Sequence, residues 1–264
     1  MKATAVAPAN IAFIKYWGKA DDALRLPFNS SISMNLSACT TTTTVEFSEK
    51  YQQDSVESID GEFSEKEVSR VIKHLDRLRE KAKVSLKAKI VTKNSFPKNA
   101  GIASSASGFA ALTVAAAKAL GLALSEKELT ILARIGSGSA CRSIPDGFVE
   151  WQKGKNSVSS FAHSLHPADY WDLHDIILLV STEKKKTGST TGMDKARTSP
   201  FFGKRLRDIP DRIREVKQAL AKKDIERLGV VMEEDCVNMH AVAMTQKPPV
   251  LYWGGDTMEI IHAV

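Results

Sequence analysis

The segment Phe96–Ala111, FPKNAGIASSASGFAA, sets glycines and serines at the mouth of an alanine-rich stretch. Gly101 and Gly108 permit close approach to the main chain. Ser104, Ser105 and Ser107 offer hydroxyls. The helix that follows aims its free N–H groups and the positive end of its dipole at the same place. This is chemistry suited to a polyphosphate. It is not a Walker loop, because no Gly-Lys-Ser/Thr follows. A tight turn into a helix packed closely on a sheet would call for the same small residues.

Three further segments favour anions. In Ile135–Ser143, IGSGSACRS, Gly136 and Gly138 alternate with Ser137 and Ser139, and Arg142 follows. Hydroxyls beside a planar guanidinium fork suit a phosphate or a carboxylate; a surface loop with a solvated arginine is the other reading. In Ala7–Lys19, APANIAFIKYWGK, Lys15, Tyr16 and Lys19 lie close together. Continued as a strand, this run puts Lys15 and Trp17 on one face and Tyr16 on the other. Lys15 stands in an apolar stretch and needs an acidic partner if buried. Either aromatic could instead be core packing. In Lys184–Met193, KKKTGSTTGM, three lysines precede Thr187, Ser189, Thr190 and Thr191. Together the four segments point to two polyanionic ligands in one cleft, such as a nucleotide and a phosphorylated acceptor.

Regular elements must hold these loops. Cys39–Phe47, CTTTTTVEF, reads as a strand whose threonines, at period two, suit a half-solvated sheet edge. Gly61–Lys83 reads as a helix opened by a Ser64/Glu67 capping box, with Val68, Val71, Ile72, Leu75 and Leu78 on one face. Leu86–Thr92 reads as a strand. The helix after the Gly/Ser loop ends at Gly121, and Ser125 with Glu128 caps the next. Gly147–Gln152 and Asp175–Thr182 read as strands. Asp211–Lys223, Asp224–Met239 and Asp256–Val264 read as helices, with Pro248-Pro249 as a break. Early strands and later helices make the class α+β with two lobes.

The 264 residues suffice for one large domain or two modest ones. Apolar content of 43% and charged content of 26% are those of an ordinary globular protein, and no apolar run spans a membrane. The N-terminal stretch lacks the pattern of a signal peptide. Cys39, Cys141 and Cys236 have no CxxC spacing, and the six histidines are scattered, so neither a disulfide framework nor a histidine metal site is indicated. A reducing, cytoplasmic setting follows. The net charge of +6 fits an anionic small substrate; basic residues mostly alternate with acids on helices, so no nucleic-acid surface is expected.

NIAFIKYWGK, NSSISMNLS, FPKNAGIASSASGFAA, SGSACRS followed by GFVEW, and KKKTGSTTGM occur in an order that resembles the mevalonate diphosphate decarboxylases of the GHMP small-molecule kinase superfamily. The resemblance runs from about Ala5 to the end of the chain. It implies the two-lobed GHMP-kinase fold, with residues 1–175 as an ATP-binding lobe like the second domain of a small-subunit ribosomal protein. Residues 176–264 would be a ferredoxin-like lobe, here incomplete. It implies ATP-dependent decarboxylation of mevalonate 5-diphosphate to isopentenyl diphosphate, in isoprenoid biosynthesis. ATP phosphorylates the tertiary hydroxyl, the phosphate leaves, and carbon dioxide is lost.

By motif, Gly101, Ser104, Ser105 and Ser107 would hold ATP, with Ser105 nearest its Mg²⁺. Arg142 would bind the substrate carboxylate. Tyr16, Lys19, Ser137, Ser139 and Ser189 would contact the acceptor's phosphate end. Lys15 would keep the catalytic carboxylate ionised. That carboxylate belongs to an Asp-Ala-Gly-Pro-Asn run in the family, which this sequence lacks. The expectations that follow are a missing general base, impaired turnover and a chain ending short of its relatives; a kinase-only or non-catalytic relative is the alternative. A second departure is Pro145-Asp146 before GFVEW, where relatives have an aromatic residue and Gly. Its added negative charge opens a monophosphate alternative, phosphomevalonate to isopentenyl phosphate. Relatives also suggest a homodimer.

Overall fold

The computed structural model describes residues 1–97, 104–180 and 187–263. In chain order the strands and helices are β1 (Lys2–Ile14), β2 (Lys19–Asp21), β3 (Leu26–Pro27), β4 (Ser31–Ser48), β5 (Ser55–Ser58), α1 (Glu65–Ala82), β6 (Lys87–Asn94), α2 (Ser104–Ala119), α3 (Glu126–Gly136), β7 (Phe148–Trp151), β8 (Ala162–His166), α4 (Ser189–Met193), α5 (Phe202–Lys222), α6 (Ile225–Thr245) and α7 (Gly255–Ala263). A 3-10 turn, Gly138–Ser143, lies between α3 and β7. Among the described residues no helix is long and apolar enough to cross a membrane.

The long strand β4 organises the sheet. It pairs antiparallel with β1 along one edge, and with β6 and then β7 along the other. The sheet order is β5-β6-β4-β7-β8. Alternate residues of β1 and β4 face opposite sides. Asn10, Ser31 and Ser33 bond to Arg142 of the 3-10 turn. Their neighbours Ile11, Ile32 and Met34 share a core with Ile209, Ile213 and Val216 of α5 and Leu228 and Val231 of α6. A separate core joins Val45, Phe47 and Ile90 to Leu75 and Leu78 of α1 and to the alanines of α2. Small side chains let α2 lie close on the strands.

Both capping boxes form: Ser64 with Glu67 opens α1, and Ser125 with Glu128 opens α3. Four expectations are corrected. The threonine run keeps its period of two, with Thr41 and Thr43 buried, but it lies between β1 and β6 and not at an edge. There Thr43 bonds Thr92 at 2.9 Å, so inward hydroxyls are satisfied by neighbours and not by water. The strand expected over Asp175–Thr182 is absent from Asp175–Val180; Thr182 lies outside the described residues. Ile176 is 84% exposed and Leu178 60%. Strand propensity is realised only against a partner edge, and no described strand pairs with this segment. The helix expected from Asp211 begins at Phe202 and carries Pro210 inside it. Burial of Phe202, Arg205 and Ile209 on one face outweighs the lost backbone bond. Finally, β1 stops at Ile14, so Lys15, Tyr16 and Trp17 lie beyond the strand and do not alternate on it; all three line one cavity.

His74 makes the first testable point. It is fully buried between α1 and α2. Thr113 donates its hydroxyl to the Phe109 carbonyl (2.6 Å), so His74 Nε2 carries the proton and donates to Thr113 (2.8 Å). Burial, with a smaller contribution from Arg77, pulls its pKa down to about 3. The unfolded chain takes up a proton near pH 6.5 and the folded chain does not. The stabilising contribution is therefore complete above pH 6.5 and lost as pH falls toward 3. Between pH 7 and 4.5 the loss from this residue is about 2–3 kcal/mol. Urea unfolding of the parent and of His74→Gln at the two pH values measures it as a shallower pH dependence in the variant.

Candidate active site

The end of β1 and the 3-10 turn meet over the sheet, and their side chains make the floor of a cavity of about 530 Å³. That volume is within the range of small-molecule sites. Asn10, Lys15, Tyr16 and Trp17 come from the first strand and its exit. Ser139 and Arg142 come from the turn, Ser189 from α4, and Cys236, Met239 and His240 from α6.

Arg142 is 3% exposed. Its guanidinium donates to Ser31 Oγ (2.7 Å), Ser33 Oγ (3.1 Å) and Asn10 Oδ1 (3.2 Å). The Trp151 ring lies 5.9 Å beneath it. Every hydrogen-bond partner is neutral, and burial pulls its pKa below the usual guanidinium value. Among the described residues no carboxylate pairs with it. A buried cation without a counter-charge is a place prepared for an anion. Asn10 completes the arrangement: its Nδ2 donates to Ser143 Oγ at 2.8 Å, which turns its oxygen toward Arg142.

Tyr16 packs edge-on against Trp151, ring centroids 4.7 Å apart, with Gly138 leaving room for its ring. Burial drives the phenol pKa well above its ordinary value, so Tyr16 stays a neutral donor. Its hydroxyl and Trp17 Nε1 are buried without a hydrogen-bond partner among the described residues. Each orphan donor costs about 1–3 kcal/mol until an acceptor arrives. The neighbouring Cys141 thiol is buried, bonded to the Gly138 carbonyl and pushed up to about 12, so it is inert.

A second, smaller cavity of about 130 Å³ lies between α1, α2 and the sheet. Val56, Phe63, Phe109 and Leu112 make it largely apolar, and Ser104, Ser105 and Arg70 stand at its polar side. On its polar side Ser105 Oγ lies 3.3 Å from Ser137 Oγ, two residues before Ser139 of the large cavity.

The expected site residues thus divide. Lys15, Tyr16, Ser139, Arg142 and Ser189 share the large cavity; Ser104 and Ser105 line the small one; Ser137 lines neither but lies against Ser105. Gly101 and Lys184–Lys186 lie outside the described residues. Ser107 lines neither cavity, and its hydroxyl is buried against Thr41 at 2.7 Å. Lys19 lines neither, and its ammonium is paired with Asp22 and with Asp194 (2.7 Å). Asp146 lines a different cavity with Pro8, Asn35 and Trp171. Asn10, Asp175, Cys236 and His240 were not singled out. Asn10 was findable as the first residue of the NIAFIKYWGK segment; the others carry no local spacing signal. Asp175 sits on the open side of the large cavity, where partial burial raises its carboxyl pKa against the opposing pull of Lys15. Among the described residues no cluster of metal-ligating side chains occurs.

Residues 7–162 match the diphosphomevalonate decarboxylase-like N-terminal domain, and residues 175–264 match the mevalonate 5-diphosphate decarboxylase C-terminal domain. The chain belongs to the diphosphomevalonate decarboxylase family. A relative from Candida albicans is 39% identical, across 99% of this chain and 77% of its own length. The family's solved structures share the α+β, two-lobed fold. MDDEF in complex with MVAPP, AMPPCP and magnesium superposes with a TM-score of 0.91 at 37% identity, covering 99% of this chain and 81% of that one. The Staphylococcus aureus mevalonate diphosphate decarboxylase gives 0.89 at 38% identity, covering 100% and 81%.

Proposed function

We propose that this chain carries out the ATP-dependent decarboxylation of mevalonate 5-diphosphate to isopentenyl diphosphate. The observation that carries the reading is Arg142, a buried cation with only neutral partners facing a cavity of acceptor size. A carboxylate there gains a planar, two-pronged contact in low dielectric, which fixes the bond that must break. Tyr16, Ser139 and Ser189 would take the phosphate end, where the buried Tyr16 hydroxyl awaits an acceptor. Ser104 and Ser105 would hold the nucleotide's phosphates, with Ser105 nearest a Mg²⁺ that neutralises charge on the transferred group. The apolar cavity beside them would take the base. Lys15 would keep an active-site carboxylate ionised.

The diphosphate is the preferred acceptor, since Asp146 lines another cavity and adds no charge beside Arg142. A reducing, cytoplasmic setting and a homodimer belong to the same proposal; the free cysteines favour the first, and light scattering reads the second.

The test combines ATP, Mg²⁺ and carboxyl-labelled mevalonate 5-diphosphate. Labelled carbon dioxide should appear in step with ADP and phosphate. Saturable binding of the acceptor, read by calorimetry, is the second measure. ADP formation with a phosphorylated product and no gas would make this a kinase. Preference for the monophosphate would change the acceptor. No binding of either would sink the proposal.

A further inference from the structure

Lys15 is the first residue beyond the β1–β4 ladder, whose last pair is Ile14 with Ile32. Its main chain has lost its sheet partner but not its hydrogen bonds. The Lys15 N–H donates to Asp235 Oδ2 at 2.8 Å. The Lys15 carbonyl accepts from Arg205 Nη2 at 3.1 Å and from Asn29 Nδ2 at 3.0 Å. Asp235 and Arg205 are themselves joined through both oxygens, Nη1 to Oδ1 at 2.9 Å and Nη2 to Oδ2 at 3.1 Å. The three residues form a closed ring: amide to carboxylate, carboxylate to guanidinium, guanidinium back to the carbonyl of the same residue. Asp235 lies on α6 and Arg205 on α5. Both are fully buried, and Arg212 adds a longer contact to Asp235 at 3.4 Å.

An ion pair in this position is a poor device for stability alone. Removing two charges from water consumes most of their attraction, and well-packed apolar residues usually do as well or better. The same two helices pack elsewhere through Ile209, Ile213, Leu228 and Val231. What the pair does that apolar side chains cannot is hold both main-chain polar groups of one residue, its N–H and its carbonyl, with direction and distance fixed.

We propose that Asp235 and Arg205 are positioning residues that fix the main chain of Lys15 at the lip of the large cavity. They act through Lys15 and do not line the cavity. With Lys15 held, its ammonium reaches back to the Ala12 carbonyl at 2.8 Å, Tyr16 is delivered to Trp151 and Trp17 to Tyr252. The clamp thereby makes the acceptor side of the site depend on the α5–α6 packing. The functional part rests on the proposed function, through the role given there to Lys15; the geometric part does not.

Two measurements test it. The first needs no ligand. In the intact chain, hydrogen exchange at the Lys15 amide, resolved by NMR, should be as slow as at the protected amides of the β1–β4 ladder. In Asp235→Asn it should speed up by about tenfold or more while those ladder amides and the α5–α6 amides stay protected, the pattern of a local opening. Equal acceleration everywhere would mean a merely structural pair, and no acceleration would mean no clamp; either overturns the proposal. If Asp235→Asn does not fold, Arg205→Lys, which keeps the charge and loses the two-pronged reach, carries the same comparison. The second measurement is the affinity for mevalonate 5-diphosphate. Asp235→Asn should weaken it by about tenfold and leave the affinity for a non-hydrolysable ATP analogue within about twofold. Unchanged affinity for mevalonate 5-diphosphate, or an equal loss for both ligands, would overturn positioning through Lys15. A parent chain that binds no mevalonate 5-diphosphate would count against the proposed function, and the exchange result alone would then decide the clamp.

Discussion

Arg142→Met is expected to lose about 2–5 kcal/mol of acceptor binding, roughly 30- to 5,000-fold in affinity, while the unliganded fold stays nearly as stable as the parent. The two halves of this result have one origin. Arg142 is buried, yet it bonds only Ser31, Ser33 and Asn10. In an ordinary buried ion pair, removing one partner strands the other charge, at a cost of about 3–5 kcal/mol. Here no carboxylate is stranded. The serine hydroxyls can turn toward each other, Asn10 keeps its bond to Ser143, and a methionine of similar length fills the space over Trp151. Relief from desolvation offsets the lost bonds, so the unfolding midpoint should move by no more than about 3 °C. Calorimetry with mevalonate 5-diphosphate and thermal unfolding without it give the two readings. A midpoint lowered by ten degrees with affinity intact would make Arg142 a structural cation.

The sequence made this residue visible because glycine, serine and arginine were crowded into SGSACRS, an expensive choice for a core turn. The helices were legible for similarly local reasons: each capping box is closed within four residues, and each apolar stripe repeats at helical spacing. The strand expected at Asp175 was misread because propensity says nothing about a partner edge. Ser107 and Lys19 have the right chemistry at the right spacing, but their neighbours Thr41 and Asp194 are distant in sequence. The acidic partner expected of Lys15 is the sharpest case. Asp235 does serve Lys15, but through the amide and not the ammonium, across 220 positions. No spacing rule reaches a contact made by the main chain. The family's motifs are contiguous runs, whereas the ring around Lys15 joins residues 190 and 220 positions apart.

Gly147→Ala should lower stability by about 2–5 kcal/mol, or roughly 5–15 °C, and Gly121→Ala by only about 1 kcal/mol. The two glycines have nearly the same backbone, φ +75° and φ +68°. An alanine in either is strained by the left-handed conformation. They differ in what a Cβ would meet. At Gly121 nothing lies within 4 Å. At Gly147 the new carbon would stand 2.5 Å from the Pro167 carbonyl carbon and 2.7 Å from the Ala168 nitrogen, and closer still to the His166 oxygen. All three are backbone atoms at the end of β8, so no side chain can swing aside. The Gly147 carbonyl also accepts from the Asn35 amide at 3.0 Å, just before the β4–β7 ladder begins at Met34 with Phe148. Displacement there shifts Phe148 in the core and, three residues on, Trp151 beneath Arg142 and beside Tyr16. Gly147→Ala should therefore weaken acceptor binding as well, whereas Gly121→Ala, at the far end of α2, should not. Equal losses in the two variants, read by urea unfolding, would show that backbone strain alone governs both positions and that the turn has no hold on the site.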